Sequence, residues 1–177
     1  MWIIRPESPT DVPQVRSVVT DAFPTPDEAD LVDALREDPA WIPDFSLVAV
    51  AEPESPGGSD GHPSETVLGH VLLTRCHIGE VPALALAPVA VAQAEQRRGA
   101  GSALVRAALE AARAARGNAV VVVGHPEYYP RFGFHRASVD GITVPCDAPD
   151  EAVMVTGLNP AESLPPGQVR YAAAFGL

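Results

Sequence analysis

The sequence predicts one mixed α/β domain over residues 1–177, in which helices flank a mostly antiparallel sheet with one splayed parallel pair of strands. Apolar runs of strand length alternate with stretches of helical periodicity. A Pro-, Gly- and Ser-rich stretch at 52–65 joins two strand-like runs, which predicts a flexible loop between antiparallel strands. The wholly apolar run 119–123 follows a helix and predicts a buried strand parallel to its neighbour.

The N-terminal third predicts one strand and two helices. Residues 2–5 are rich in β-prone side chains. Ser8 and Pro9 are typical of a helix start, and this helix is expected to run to about Phe23, where prolines follow it. A second helix is expected over 27–37.

Further strands are separated by turns and loops along the rest of the chain. Pro88 lacks a backbone N–H, so its strand must be an edge strand or be bulged or splayed there. The C-terminal segment 135–177 is expected to add two strands and a proline-containing loop at 159–167. These further predicted strands cover residues 45–51, 66–75, 81–92, 119–123, 142–144 and 152–158.

Composition excludes several classes of protein. The net charge of −11 argues against nucleic acid as a general partner. The absence of any lysine removes Walker-type phosphate binding and Schiff-base chemistry. No apolar run has the length of a membrane span, and the chain shows no signal peptide, so a cytoplasmic protein is expected. Cys76 and Cys146 are expected to be free thiols.

The stretch 85–116 predicts an anion-binding turn between a strand and a helix. Arg106, Glu110 and Arg113 fall on one helical face, and Gly117 stands where a C′ glycine would end the helix. The first turn of a helix has unpaired N–H groups and a partial positive charge. The two glycines in the turn let a phosphate approach those amides, and two arginines add positive charge. A plain glycine turn with solvated arginines is the alternative.

Two motifs in this order resemble the GNAT superfamily of acyl-CoA-dependent N-acetyltransferases. The first is the Gln-x-x-Gly-x-Gly motif at 96–101, between an apolar strand and an Ala/Leu-rich helix. The second is Tyr-x-x-x-Gly-Phe at 129–134. The resemblance covers residues 2 to about 134, and the ending at 169–175 also resembles a bacterial branch of predicted N-acetyltransferases. It implies a GNAT-like fold and acetyl-CoA as cofactor.

The resemblance also implies which residues hold the cofactor. The strand containing Pro88 would diverge from the next strand, and the backbone of Val89, Ala90 and Val91 would bond the pantetheine arm. A histidine and a proline stand where relatives more commonly have an asparagine that contacts the cofactor. The pyrophosphate would lie on the turn formed by Gln96, Arg97, Arg98, Gly99, Ala100, Gly101 and Ser102.

Tyr129 is the predicted catalytic residue, because it matches the tyrosine that acts as general acid in the family. A packed aromatic with its hydroxyl on a backbone carbonyl is the alternative, and the adjacent Tyr128 competes for the role. The general base cannot be assigned: Glu80 and Glu28 are candidates, as are a water-mediated base and an amine that arrives neutral. Cys76 is expected to be an inert buried thiol.

The resemblance implies an N-acetyltransferase that moves an acetyl group from acetyl-CoA to a primary amine by direct attack in a ternary complex. The acceptor would be a small molecule or a protein amine, and a homodimer is possible. A non-catalytic acyl-CoA-binding module is the main alternative, and an unrelated nucleotide binder is a third. No metal is predicted, because no metal-ligand spacing occurs among His70, His77, His125 and His135.

Overall fold

The computed structural model describes residues 1–51 and 65–177, so the predicted loop at 52–65 lies outside the described residues except for its last position. Three α-helices and nine strands are described, and short 3₁₀ turns connect several of them. The helices are α1 (Val12–Ala22), α2 (Asp27–Arg36) and α3 (Ala100–Ala114). The strands are β1 (Trp2–Pro6), β2 (Ser46–Ala51), β3 (Thr66–Ile78), β4 (Val81–Val91), β5 (Ala119–Val123), β6 (His135–Arg136), β7 (Ile142–Thr143), β8 (Val153–Gly157) and β9 (Gly167–Arg170).

The strands form one sheet with the order β1-β2-β3-β4-β5-β8-β6. Along this path every described neighbour is antiparallel except β4 and β5, which are parallel. The short β9 pairs with the end of β3, and β7 lies parallel to β9. The predicted mostly antiparallel sheet with a parallel pair of strands, β4 and β5, is therefore confirmed, and the short β7–β9 pair is a second parallel pair that the sequence did not predict.

Helices cover both faces of the sheet because its central strands are apolar on both sides. On β3, Val71 and Leu73 are fully buried in a core shared with α3, and Leu72 between them belongs to the core under α1 and α2. This alternation follows from the two-residue period of a strand. The C-terminal segment closes the rest of the second face over Cys76 and Ile78. No helix in the described ranges combines the length and apolar composition needed to cross a membrane.

The start of α1 follows the sequence prediction closely. A 3₁₀ turn (Pro9–Asp11) precedes the helix, and the backbone N–H of Ser8 donates to the Asp11 carboxylate at 2.7 Å. The Ser8 hydroxyl donates to the same carboxylate at 2.9 Å. Arg5, on β1, donates to Asp11 at 2.7 Å. The carboxylate thus ties the helix start to the edge of the sheet.

The end of α3 differs from the prediction by one residue. Arg116, not Gly117, adopts the left-handed backbone conformation, with a φ of 58°. The Arg116 N–H donates to the carbonyl of Arg113 at 3.0 Å, and the Gly117 N–H donates to that of Ala112 at 2.9 Å. This is the Schellman pattern with arginine at C′. Gly117 is needed for another reason: a Cβ there would lie 2.9 Å from the Leu158 Cδ1 atom.

The C-terminal segment contains two strands that the sequence analysis missed. His135–Arg136 pairs with β8, and Gly167–Arg170 pairs with β3. The expected loop at 159–167 therefore ends one residue early, since Gly167 begins a strand. Strands this short carry almost no sequence periodicity, and their pairing is decided by the strand beside them.

A bulge in β4 separates its two halves. Opposite Val71–Leu73 of β3, the paired residues of β4 are Val89 and Leu86, so β4 has one extra residue, at Ala87–Pro88. The described pairing between β4 and β5 involves only Leu84 and Ala85 of β4. Beyond Ala85 the two parallel strands have no pairing in the described structure, and a cleft opens between their carboxyl ends.

Candidate functional site

A cavity of about 720 Å³ occupies this cleft. One wall is the second half of β4, another is the start of α3, and the third is the segment that follows β5. Seven of the ten predicted cofactor-binding residues line it, together with Tyr129. The seven are Val89, Val91, Gln96, Arg97, Gly99, Gly101 and Ser102.

The β4 wall presents alternate residues to the cavity. Val89 and Val91 line it, whereas Ala90 is 1% exposed and belongs to the core under α1 and α2. The Ala92 N–H donates to the Leu68 carbonyl of β3, so by alternation the backbone groups of Val91 point away from β3, toward the open side. The side-chain amide of Gln96 donates to the Val91 carbonyl at 3.0 Å.

The turn before α3 exposes backbone amides to the cavity. Arg97 and Gly99 both have positive φ angles, of 63° and 99°. The first intrahelical hydrogen bond runs from the Ala103 N–H to the Gly99 carbonyl at 3.0 Å, which leaves the preceding amides of the first turn without an intrahelical acceptor. A Cβ on Gly101 would lie 3.3 Å from the Tyr128 hydroxyl and 3.5 Å from the Val91 side chain, so the glycine keeps this space open.

The two adjacent arginines of the turn point in different directions. Arg97 lines the cavity. Arg98 does not; its guanidinium donates to the Glu95 carboxylate at 3.0 Å and its side chain is 64% exposed. Ala100 is also outside the cavity lining, with 1% of its surface exposed. Arg98, Ala100 and Ala90 are thus the three predicted cofactor-binding residues that the structure places away from the cavity surface.

Tyr129 lies on the cavity at the start of a 3₁₀ turn (Tyr129–Phe132) and is 8% exposed. Its ring packs edge-on against Tyr128 and Phe134, with centroid distances of 5.1 and 5.6 Å. A Cβ on Gly124 would lie only 2.5 Å from its ring, so a glycine is required after β5. Burial raises the pKa of the Tyr129 phenol to about 12. The hydroxyl therefore stays protonated, and can donate a hydrogen bond, throughout the neutral pH range.

Tyr128 has a different role in the same cavity. Its hydroxyl lies 3.2 Å from the Ser102 hydroxyl, in the first turn of α3. The Arg131 guanidinium stacks over its ring, 4.6 Å from the centroid, and donates to its backbone carbonyl at 2.9 Å. Tyr128 is therefore tied to the turn before α3, and Tyr129 is the tyrosine whose hydroxyl has no such partner among the described residues.

Neither carboxylate named as a candidate base lines the cavity. The Glu80 side chain is 96% exposed, in the turn that joins β3 to β4. Glu28 lies at the start of α2 and lines a separate surface pocket. The titratable side chains on the cavity that sequence reasoning missed are Glu95 and His125. Glu95 follows the carboxyl end of β4 and His125 that of β5. In sheets with parallel strands, ligands bind beyond the carboxyl ends, so this position in the sequence could have identified both residues as site candidates.

Cys76 is excluded as a nucleophile by its surroundings. It is 3% exposed, it lies outside the lining of this cavity, and burial raises the pKa of its thiol to about 12. Both cysteines are free thiols, as the sequence predicts. In the described parts of the chain, three or more His, Cys, Asp or Glu side chains do not come together in a way that could hold a metal ion.

Comparison with known proteins gives consistent matches across this region. The model of the acetyltransferase (GNAT) family matches residues 13–135. The uncharacterized N-acetyltransferase YjhQ of Escherichia coli strain K12 is 36% identical over 147 residues, which cover 80% of this chain and 75% of that protein.

Two solved structures resemble the fold over nearly its whole length. The GNAT family N-acetyltransferase YhbS from Escherichia coli, in complex with CoA, has a TM-score of 0.82 and 27% identity, covering 99% of this chain and 92% of that one. A GNAT family acetyltransferase from Brucella melitensis, in complex with acetyl-CoA, has a TM-score of 0.75 and 31% identity, covering 99% and 98%.

Proposed function

Because the chain belongs to the GNAT family of acetyltransferases, we propose that it transfers an acetyl group from acetyl-CoA to a primary amine by direct attack within a ternary complex. The observation that carries this proposal is one continuous cavity. It joins the anion-binding turn before α3, the unpaired edge of β4 and the Tyr129 phenol. A thioester cofactor with a pyrophosphate needs these three features in this order.

The residues on the cavity fit CoA. The amides of the first turn of α3, the partial positive charge of the helix and Arg97 suit a pyrophosphate. Gly101 keeps clear the space that a phosphate needs to reach those amides. The backbone of Val89 faces the cleft and is available to the pantetheine amides, which would extend the sheet there as an added strand.

Tyr129 is proposed as the general acid. Acetyl-CoA supplies an acetyl group activated as a thioester, so that a C–N bond forms as the C–S bond breaks. The nitrogen gives up its protons to solvent water, one to become neutral and one as the amide forms, and the departing sulfur requires a proton. The phenol with a pKa of about 12 holds that proton at neutral pH and sits on the cavity wall. Its edge-on packing against Phe134 limits the directions in which the hydroxyl can point.

The acceptor amine is proposed to enter near the loop that joins α1 to α2. Ala22 and Phe23 line the cavity on that side and provide an apolar surface. The acidic chain, with a net charge of −11, favours the approach of a cationic amine. A primary amine of a small molecule or of a protein meets these requirements.

Calorimetric titration with acetyl-CoA, followed by an assay of CoA release across a set of primary amines, tests the proposal. Tyr129→Phe is expected to lower kcat by about 100-fold, with the acetyl-CoA Kd unchanged, because general acid catalysis contributes effects of that size. Tyr128→Phe is the matched control: it removes a hydroxyl next to the anion-binding turn, so it should weaken acetyl-CoA binding and leave kcat close to that of the wild type.

Two outcomes would contradict the proposal. Failure of the folded protein to bind acetyl-CoA would remove its basis. Binding of acetyl-CoA without turnover of any amine would favour the non-catalytic acyl-CoA-binding module. Turnover with a kcat that Tyr129→Phe leaves unchanged would contradict only the role of Tyr129.

A further inference from the structure

A second cavity, of about 560 Å³, lies at the opposite end of the β4–β5 pair. It is formed where the amino ends of these two strands meet the C-terminus of α3 and the end of β3. Its floor is apolar and includes Phe45 and Leu84. A volume of this size is in the range of pockets that hold small organic ligands.

The rim of this second cavity is positively charged. Arg75 and Arg116 provide this charge, His77 also lines the cavity, and no aspartate or glutamate of the described residues does. This is unusual for a chain in which 23 acidic residues face 12 basic ones. A basic rim without carboxylates leaves the arginines free to bind an anion.

The backbone conformation of Arg116 fixes where its side chain leaves the end of α3. Only two non-glycine residues in the described ranges have a positive φ, and these are Arg97, at 63°, and Arg116, at 58°. At Arg116 this conformation belongs to the C′ position of the Schellman pattern that ends α3. Arg97 lines the first cavity and Arg116 the second. A glycine would adopt this conformation without strain, so the guanidinium is the feature that an arginine adds here.

Arg75 is held in place at the rim. Its Nη1 atom donates to the carbonyls of Pro39 and Trp41, at 3.0 and 3.1 Å. The other two guanidinium nitrogens have no acceptor within the described structure, so they remain available as donors. A guanidinium fixed through one nitrogen loses little further side-chain entropy when it binds a ligand.

We propose that this second cavity binds a small monocarboxylate with an apolar body. The carboxylate would bridge Arg75 and Arg116, because planar guanidinium groups suit two carboxylate oxygens. The apolar body would pack on Phe45 and Leu84. This inference does not depend on the acetyltransferase reaction, since none of these residues lines the first cavity.

Phenylacetate and its neutral analogue phenylacetamide form a matched pair of probes, and calorimetric titration of the full chain measures both. Phenylacetate is expected to bind about tenfold more tightly, since one charge-assisted contact is worth roughly 1.4 kcal/mol or more. Saturating acetyl-CoA should not displace it. Equal binding of the two probes, or competition with acetyl-CoA, would overturn the proposal.

Arg116→Gly tests the site without damaging the fold, because glycine accepts the positive φ of this position. This variant should bind phenylacetate about tenfold more weakly and retain wild-type acetyl-CoA affinity. Arg113→Gln is the control, since it removes one charge from the last turn of α3 without touching the cavity lining. Equal phenylacetate affinity in the wild type and Arg116→Gly, or equal losses in both variants, would contradict the assignment.

Discussion

The two ends of the β4–β5 pair make cavities by different means. At the carboxyl ends the strands diverge, and the cavity presents backbone amides, a splayed strand edge and glycines. At the amino ends the strands are still paired, through Leu84 with Val120 and Ala85 with Val121, and the cavity presents long side chains on a closed floor. A site built from backbone tolerates few substitutions, whereas a site built from side chains can change its ligand by single substitutions.

The largest expected effect comes from a substitution in the first cavity, at the carboxyl ends of β4 and β5. Gly101→Val should raise the acetyl-CoA Kd by about 100-fold, because its side chain fills the space before the first-turn amides and removes charge-assisted hydrogen bonds worth about 3 kcal/mol together. Calorimetry measures the change, and circular dichroism checks that α3 is intact. An unchanged Kd would mean that the phosphates do not lie on this turn.

The corresponding glycine at the other end of α3 should affect stability and not acetyl-CoA affinity. Gly117→Ala places a Cβ 2.9 Å from Leu158 Cδ1 and 3.2 Å from the Ala112 carbonyl oxygen. Overpacking of this kind should lower the free energy of unfolding by about 2 kcal/mol, and Tm by about 6 °C. Urea unfolding measures the loss. A weaker acetyl-CoA affinity in this variant would show that the two ends are coupled.

Asp11 lies near the edge of the sheet, outside both cavities, and makes the stability of the fold depend on acidic pH. The hydrogen bond from Arg5 lowers the pKa of Asp11 from an ordinary 3.8 to about 2. A carboxyl group whose pKa is lower in the folded than in the unfolded protein stabilises the fold at every pH above its unfolded-state pKa. This stabilisation is lost as the pH falls through the folded-state pKa. For Asp11 the expected loss is about 2 kcal/mol between pH 4 and pH 2. Unfolding of wild type and Asp11→Asn against pH measures it; the variant should give the flatter profile.

The smallest expected effect sharpens the description of the anion-binding turn. Arg97→Gln should weaken acetyl-CoA binding by about tenfold, because Arg97 lines the cavity and provides one charge-assisted contact. Arg98→Gln should change it by less than about threefold, since Arg98 is exposed and paired with Glu95. Calorimetric titration of both variants with acetyl-CoA at equal ionic strength measures the two losses of affinity. A larger loss in Arg98→Gln than in Arg97→Gln would mean that Arg98, and not Arg97, contacts the cofactor.

The sequence predicts the first cavity well because its determinants are local. The two glycines of the turn, the helix that follows and Pro88 are all contained in one continuous stretch, and each has its effect through its own backbone. The divergence of Arg97 and Arg98 was not predictable, because it depends on a positive φ at Arg97 and on the nearby Glu95. Motif spacing reports which residues share a turn and not where their side chains point.

The second cavity was not predictable from the sequence. Phe45, Arg75, Leu84 and Arg116 come from four separate segments, and nothing in their spacing indicates that they meet. The one-residue error at the end of α3 has the same origin. Gly117 is placed by its close approach to Leu158, a tertiary contact, so Arg116 takes the conformation that local preference assigns to glycine.

The extra residue at Ala87–Pro88 shifts by one position the alternation of β4 side chains between the two faces of the sheet. Before it, Leu84 and Leu86 face α3; after it, Val89 and Val91 do, and Ala90 faces the opposite core. Deletion of one residue here would restore a continuous alternation along β4. Val89 and Val91 would then keep the face that they share with Leu84 and Leu86, and β4 would lose the bulge that separates its two halves.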